Sequence, residues 1–250
     1  MVHINRIFED RLHVLLFLKH GLWRYIYEKP QEYNKFHSVI QHLSWNDEQL
    51  IEIISGRIAW RHGRAYEELD AKTLWAMEFQ FDDFSSFTRQ FTEVCLSGPR
   101  DMIDLCNHCA ELAGDKPITL KERETVLPEY SQRKLYGIRA DFGNIYSNVE
   151  NFIPRVLRGA DIEMNFETMA QIVERKSLLD DSVKRTYDQY PWFRLSDRER
   201  LAKLIYEVGV VGVVDLGQVV YATEDPFRQI YEEDLLIIHP AFRSALKTIL

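Results

Sequence analysis

The sequence has no G-x-x-x-x-G-K-S/T segment, and none of its apolar runs ends in paired acids. Without that loop there is no backbone cradle for nucleotide phosphates, and without the acids no carboxylates to hold magnesium beside them. Cysteine is scarce. Cys95, Cys106 and Cys109 are the full set, an odd number that cannot all pair and that suits a reducing compartment. No apolar stretch approaches the roughly 20 residues that a bilayer-spanning helix needs. Glu9 and Asp10 fall where a signal peptide would continue its apolar core. The expected location is therefore the cytoplasm, with no membrane partner. Positive charge is also short: the formal net charge is −8 and the pI is near 5.5, so DNA is a possible partner that the charge does not favour. No Ser, His and Asp set sits in a nucleophile-elbow context, and no catalytic residue is assigned. No internal repeat or low-complexity stretch divides the chain.

What is present is ample apolar material, 46% hydrophobic and 12% aromatic over 250 residues, enough for one large core or two modest ones. Residues 12–18 form an apolar run of strand length ending at Lys19, the pattern of a strand covered on both faces. Such a strand belongs in a parallel sheet, and the eleven residues before it cannot supply a second strand with its crossover helix. The rest of the sheet is expected elsewhere, in an upstream core or a partner chain, and the exposed strand predicts self-association. Asn46 with Gln49 makes a capping-box pattern before Leu50, Ile51, Ile54 and Ile58 at helical spacing, in a helix closing on Arg57. Helical stretches follow over 71–80 and 84–96, and Pro99 opens another that runs to Ala113. Thr119 with Glu122 starts a new helical unit, with further helices at 129–142, 148–157 and 166–176. Ser196 to Glu199 reads as a capping box. After its helix, the β-branched runs 210–214 and 219–222 flank Gly217, which can supply the positive φ of a tight turn. Residues 235–238 extend again, and Pro240 opens a last helix through Leu246.

The order of these motifs resembles the rear half of a P-loop ATPase of the AAA+/STAND type. The carrying residues are the strand ending at Lys19, the leucine-serine helix from Leu43-Ser44 to Arg57, the Pro99-Arg100 helix start and the helix-plus-wing plan of the C-terminal part. The resemblance implies a mainly α fold with minor β (α+β) in three parts. These are a remnant of an α/β ATPase core over 1–43, with the sensor strand at 12–19, a helical lid over 44–115, and a winged-helix-containing domain over 116–250. It implies a non-catalytic lid and winged-helix portion that couples nucleotide state to conformational change, with DNA repair or phage defence as its setting. The isolated chain would bind no cofactor, and ATP and Mg would enter only with a P-loop core. The rival reading is a winged-helix adaptor or DNA-binding regulator unrelated to ATPases.

The resemblance also nominates nucleotide-sensing residues. Lys19 would stand where a sensor meets the γ-phosphate, although the family's usual residue there is Arg or Asn; the plainer reading is a base at a solvated strand end. Arg100 would be the second sensor, its guanidinium following phosphate charge; alternatively it is a first-turn base paired with Asp101 or Asp104. Arg57 would close the lid helix, or simply satisfy carbonyls there. His239 sits where STAND ATPases carry a histidine for the β-phosphate, but the acid that follows theirs is replaced by Pro240 and Ala241, and a packed core histidine is the alternative. Cys106 and Cys109 lack a second ligand pair, so no metal is assigned.

Overall fold

In the computed structural model, which describes residues 45–63, 68–96, 98–225 and 228–249, Asn46 opens helix α1 (Asp47–His62) with the expected capping box. Its Oδ1 accepts from the Gln49 N–H at 2.9 Å, and Gln49 Oε1 accepts from the Asn46 N–H at 3.0 Å. Leu50, Ile54, Ile58 and Ala59 form the buried stripe. The helix does not close on Arg57. It continues through Ala59 to His62, because no helix breaker intervenes until Gly63 takes φ 108°. The sensor strand expected over 12–19, and Lys19 with it, lies outside the described residues.

Helices α2 (Ala71–Trp75) and α3 (Phe84–Thr92) are shorter than the stretches expected from their phenylalanines. Between them the chain turns so that Glu78 to Gln80 bridges in parallel to Ile118, with Ile118 N–H to Glu78 O at 2.8 Å and Gln80 N–H to Ile118 O at 2.9 Å. Helix α4 (Pro99–Ala113) begins and ends as predicted, with Pro99 in the first turn and Gly114 at the exit. These elements enclose a first core in which Trp75, Phe79, Phe87 and Phe91 are joined by Met102, Leu105 and Tyr130.

Thr119 and Glu122 form the second capping box, and helix α5 (Leu120–Phe142) then runs unbroken through Pro128. The sequence suggests separate helices there, since a proline removes a backbone donor. Burial on both sides of Pro128 overrides it: Val126 and Leu127 before it pack on the first core with Tyr130 after it, and Leu135 and Ile138 enter the second. The second core gathers α6 (Val149–Leu157), α7 (Phe166–Val173) with its π-helical extension Glu174–Leu178, α8 (Asp181–Tyr187), α9 (Pro191–Arg194), α10 (Arg198–Glu207) and α11 (Pro240–Leu246). The cap of α10 is Asp197, which accepts from Arg200 N–H at 2.8 Å. Ser196 instead donates to the Trp192 carbonyl, so the predicted box gives way to a single aspartate cap. α11 docks back on α5, where Ser131 Oγ accepts the Ala245 N–H at 2.9 Å.

A small antiparallel sheet completes this half: β1 (Glu163–Asn165), β2 (Val211–Asp215), β3 (Gln218–Val220) and β4 (Leu235–Ile238), in the order β1-β4-β2-β3. The β2–β3 turn has Leu216 at φ 47° and Gly217 at φ 82°, both positive as a two-residue hairpin of right-handed twist requires. Val211, Val213, Leu236 and Ile238 face the core. On the other face Gly212 leaves room for the Tyr221 ring, since a Cβ there would stand 2.8 Å from it. The fold is thus mainly helical with a minor antiparallel sheet, α+β as expected. No helix among the described residues is long and apolar enough to cross a membrane.

Candidate functional site

Arg100 projects from the first turn of α4 and is exposed. The partners that could have neutralised it are taken. Asp101 accepts from Lys134 Nζ at 2.7 Å through one oxygen and from the Leu96 N–H at 3.1 Å through the other. Asp104 faces Arg133 at 3.7 Å. Arg100 therefore forms no ion pair among the described residues, and the paired-base alternative does not hold for it. Lys134 is fixed further by the Tyr130 ring, 4.7 Å from its Nζ, so α4 and α5 are joined by a row of charged contacts. That row includes His108, whose Nδ1 lies 2.6 Å from the Asp104 carbonyl and whose Nε2 lies 2.6 Å from Arg133 Nη1. A carbonyl and a guanidinium at these two nitrogens select the tautomer with the proton on Nδ1.

His239 is buried and caps α11: its Nδ1 accepts the Ala241 N–H at 3.1 Å. Its own N–H reaches the Val210 carbonyl at 2.9 Å, and Tyr221 packs on the ring at 4.6 Å. Burial, with help from the nearby Arg243 charge, lowers its pKa to about 3, in keeping with an Nδ1 lone pair committed to an amide. This is the geometry of a packed capping histidine. Arg100 borders the first core and His239 the second; no contact joins them.

A concavity of about 680 Å³ lies between α1 and α4 over Phe79 and Ile118, with Arg57 and Trp60 on its rim. Arg100 is not part of it; it sits roughly 10 Å along α4 from Asn107, which lines it, at 1.5 Å per residue. The sequence gives no warning of this groove, because its floor is made by residues from four separate segments. Of the rim, only Arg57 was singled out from sequence, and as a helix end rather than a groove residue.

Cys106 lines the groove, and Cys109, also in α4, is buried in the first core. Burial pushes the Cys109 thiol up to about 12 and the Cys106 thiol well above its ordinary value, which keeps them protonated and poor as ligands. No group of three or more His, Cys, Asp or Glu that could hold a metal occurs among the described residues.

On the C-terminal half the basic residues of α10 are tied down. Arg198 meets Glu167 at 3.1 Å and Glu174 at 3.6 Å, and Arg200 meets Glu207 at 2.8 Å. Lys203 lies 5.9 Å from the Phe166 ring centre. Beside the β2–β3 hairpin, Asp215 is bound by Arg228 at 2.8 Å, and Tyr206 donates to the Asp225 carbonyl at 2.7 Å.

Set against known proteins, the chain matches no curated protein and no solved structure. Residues 48–139, from α1 through most of α5, match the family model of a FunZ-associated C-terminal helical domain, a match that covers less than half of the chain and gives no link to P-loop ATPases.

Proposed function

We propose that the chain is a non-catalytic helical and winged-helix module that acts through protein contacts, as the lid and winged helix of a P-loop ATPase would act on a nucleotide held by a partner core. Support for the winged-helix part comes from chain order: helix α6, strand β1, helices α7 and α10, then β2 and β4. With β4 between β1 and β2, β1 closes a three-stranded sheet and β3 adds the hairpin partner that makes the wing. In that plan α10 is the recognition helix.

The observation that carries the protein-contact reading is the ion pairing of α10. Arg198 and Arg200, the bases a recognition helix would offer to phosphates, already spend their charge on Glu167, Glu174 and Glu207. The region as a whole agrees, with 18 Lys or Arg against 21 Asp or Glu from Lys121 to Leu250, 18 − 21 = −3. Non-specific DNA affinity comes mainly from counterion release by bases, so duplex DNA is expected to bind more weakly than about 10⁻⁵ M at physiological salt. A mobility-shift titration at two salt concentrations measures this. Tight, steeply salt-dependent binding that disappears in an Arg198→Glu, Arg200→Glu variant would reverse the reading in favour of a DNA-binding regulator.

The ATPase part of the proposal rests on the resemblance, and on Arg100 being left exposed and unpaired at a helix start, where a phosphate sensor would need it. Because phosphate cradling and metal binding require the absent loop and acids, titration calorimetry of the chain with ATP and magnesium should show no binding. Micromolar affinity with turnover would remove the idea of a module that depends on a separate core. DNA repair and phage defence enter only as settings in which the resembling ATPases work.

A further inference from the structure

Trp60 stands 84% exposed in the last turn of α1, and the residues around it are arranged for a specific neighbour. On α1, Ile53, Gly56 and Trp60 follow one another at spacings of three and four and share the face opposite the buried stripe, the a-d-a seam of a two-stranded coil. Ile53 is half-buried at the groove's edge, while Gly56 and Trp60 are exposed.

Gly56 is the second clue. A glycine inside a helix costs about 1 kcal/mol relative to alanine, and here a Cβ would meet nothing within 4 Å. Among the described residues nothing requires that position to be bare. A second helix approaching along the seam would require it, and side chains on a helix lean toward its amino end, so a Trp60 ring from each helix would fill the space above the two bare glycines.

The charges then select the partner. Glu52 and Arg57 flank the seam on opposite sides and form no ion pair among the described residues. They are five residues apart, the offset at which a residue before one seam position meets the residue after the next on a parallel partner helix. An identical α1 set parallel across a two-fold axis therefore forms two symmetric Glu52–Arg57 pairs. An antiparallel copy would bring like flank to like flank and lose both. We propose that the exposed face of α1 is a homodimer contact: two copies of this chain pair their α1 helices in parallel through Ile53, Gly56 and Trp60, with reciprocal Glu52–Arg57 ion pairs fixing the register. The contact is small, of the size of transient interfaces, and is independent of whether a nucleotide-binding core exists.

The test is a charge swap on the full chain, read by sedimentation velocity from about 10⁻⁶ to about 10⁻⁴ M, where a contact of this size should dissociate. The wild type is expected to show reversible dimer formation. Glu52→Arg sets one arginine against Arg57 in each of the two contacts and Arg57→Glu one glutamate against Glu52, and each alone is expected to weaken the dimer about tenfold. Mixed one to one, the two variants regain dimer, because every facing pair is then opposite in charge; the double variant regains it as a homodimer. Trp60→Ser removes association without lowering the helical circular dichroism signal. The proposal is overturned if the wild type stays monomeric throughout, if the single variants dimerise as well as the wild type, or if mixing them restores nothing.

Discussion

Replacing Trp75 with alanine is expected to remove about 3–5 kcal/mol of folding stability, a large part of what a chain of this size has to lose. The indole has no solvent exposure. It stacks on Phe79 at 4.5 Å between ring centres and takes edge contacts from Phe84, Phe87 and Phe91 at 6.1 to 6.4 Å. Its Nε1 donates to Ser55 Oγ at 3.1 Å, and that hydroxyl in turn donates to the Ile51 carbonyl at 2.8 Å. One side chain thus fastens α2 and α3 to α1. Trp75→Phe keeps most of the packing and gives up the hydrogen bond, so it should cost nearer 1 kcal/mol. Urea unfolding followed by far-ultraviolet circular dichroism ranks the two. An alanine variant within about 1 kcal/mol of wild type would mean that the aromatic cluster can collapse around the hole and is not the keystone of the first core.

Acidification should weaken the second core through His239. Its pKa is about 3 when folded, lowered first by burial and then by the Arg243 charge, against 6.5 when unfolded. Between those values the unfolded chain holds the proton that the folded chain excludes. The contribution of His239 to stability is therefore complete above pH 6.5 and is lost progressively as the pH falls toward 3. The slope of this loss can reach about 1.4 kcal/mol per pH unit. His239→Asn keeps an acceptor for the Ala241 N–H, asparagine being a good cap, and cannot take up a proton in this range. Denaturant unfolding at pH 7.5, 6 and 5 should show a wild-type decline that the variant lacks. Parallel curves for the two proteins would assign acid sensitivity to other groups.

The parts of the fold that could be read in the sequence are those fixed within a few residues. Asn46 with Gln49, Thr119 with Glu122, Pro99 and Pro240 each set a helix start through contacts inside a single turn, and Gly217 sets the hairpin in the same way. Strand β1 was not legible. Glu163-Met164-Asn165 carries no β-branched residue, and it is extended because the edge of β4 needs a partner at Leu235 to Ile237. The continuity of α5 was hidden for the same kind of reason: the two cores that hold Pro128 in helix are assembled by distant segments. For the site, the sequence could nominate Arg100 and His239 but not say what neutralises them. That Asp101 belongs to Lys134, and that His239 closes the start of α11, depend on how helices far apart in the chain come together. The placement of Lys19 is not described.

Helix α5 has a consequence for where this protein can be cut. The family match ends at residue 139, within a helix that gives Tyr130 to one core and Leu135 and Ile138 to the other, and whose Ser131 holds the last helix. A chain severed at that point would keep the recognisable sequence and nearly all of α5, but Ser131, Leu135 and Ile138 would be left without the segments they pack against. Melting either core would release the helix from the other, which links their unfolding into one event. The edge of the family match and the cooperative edge of folding are therefore different edges.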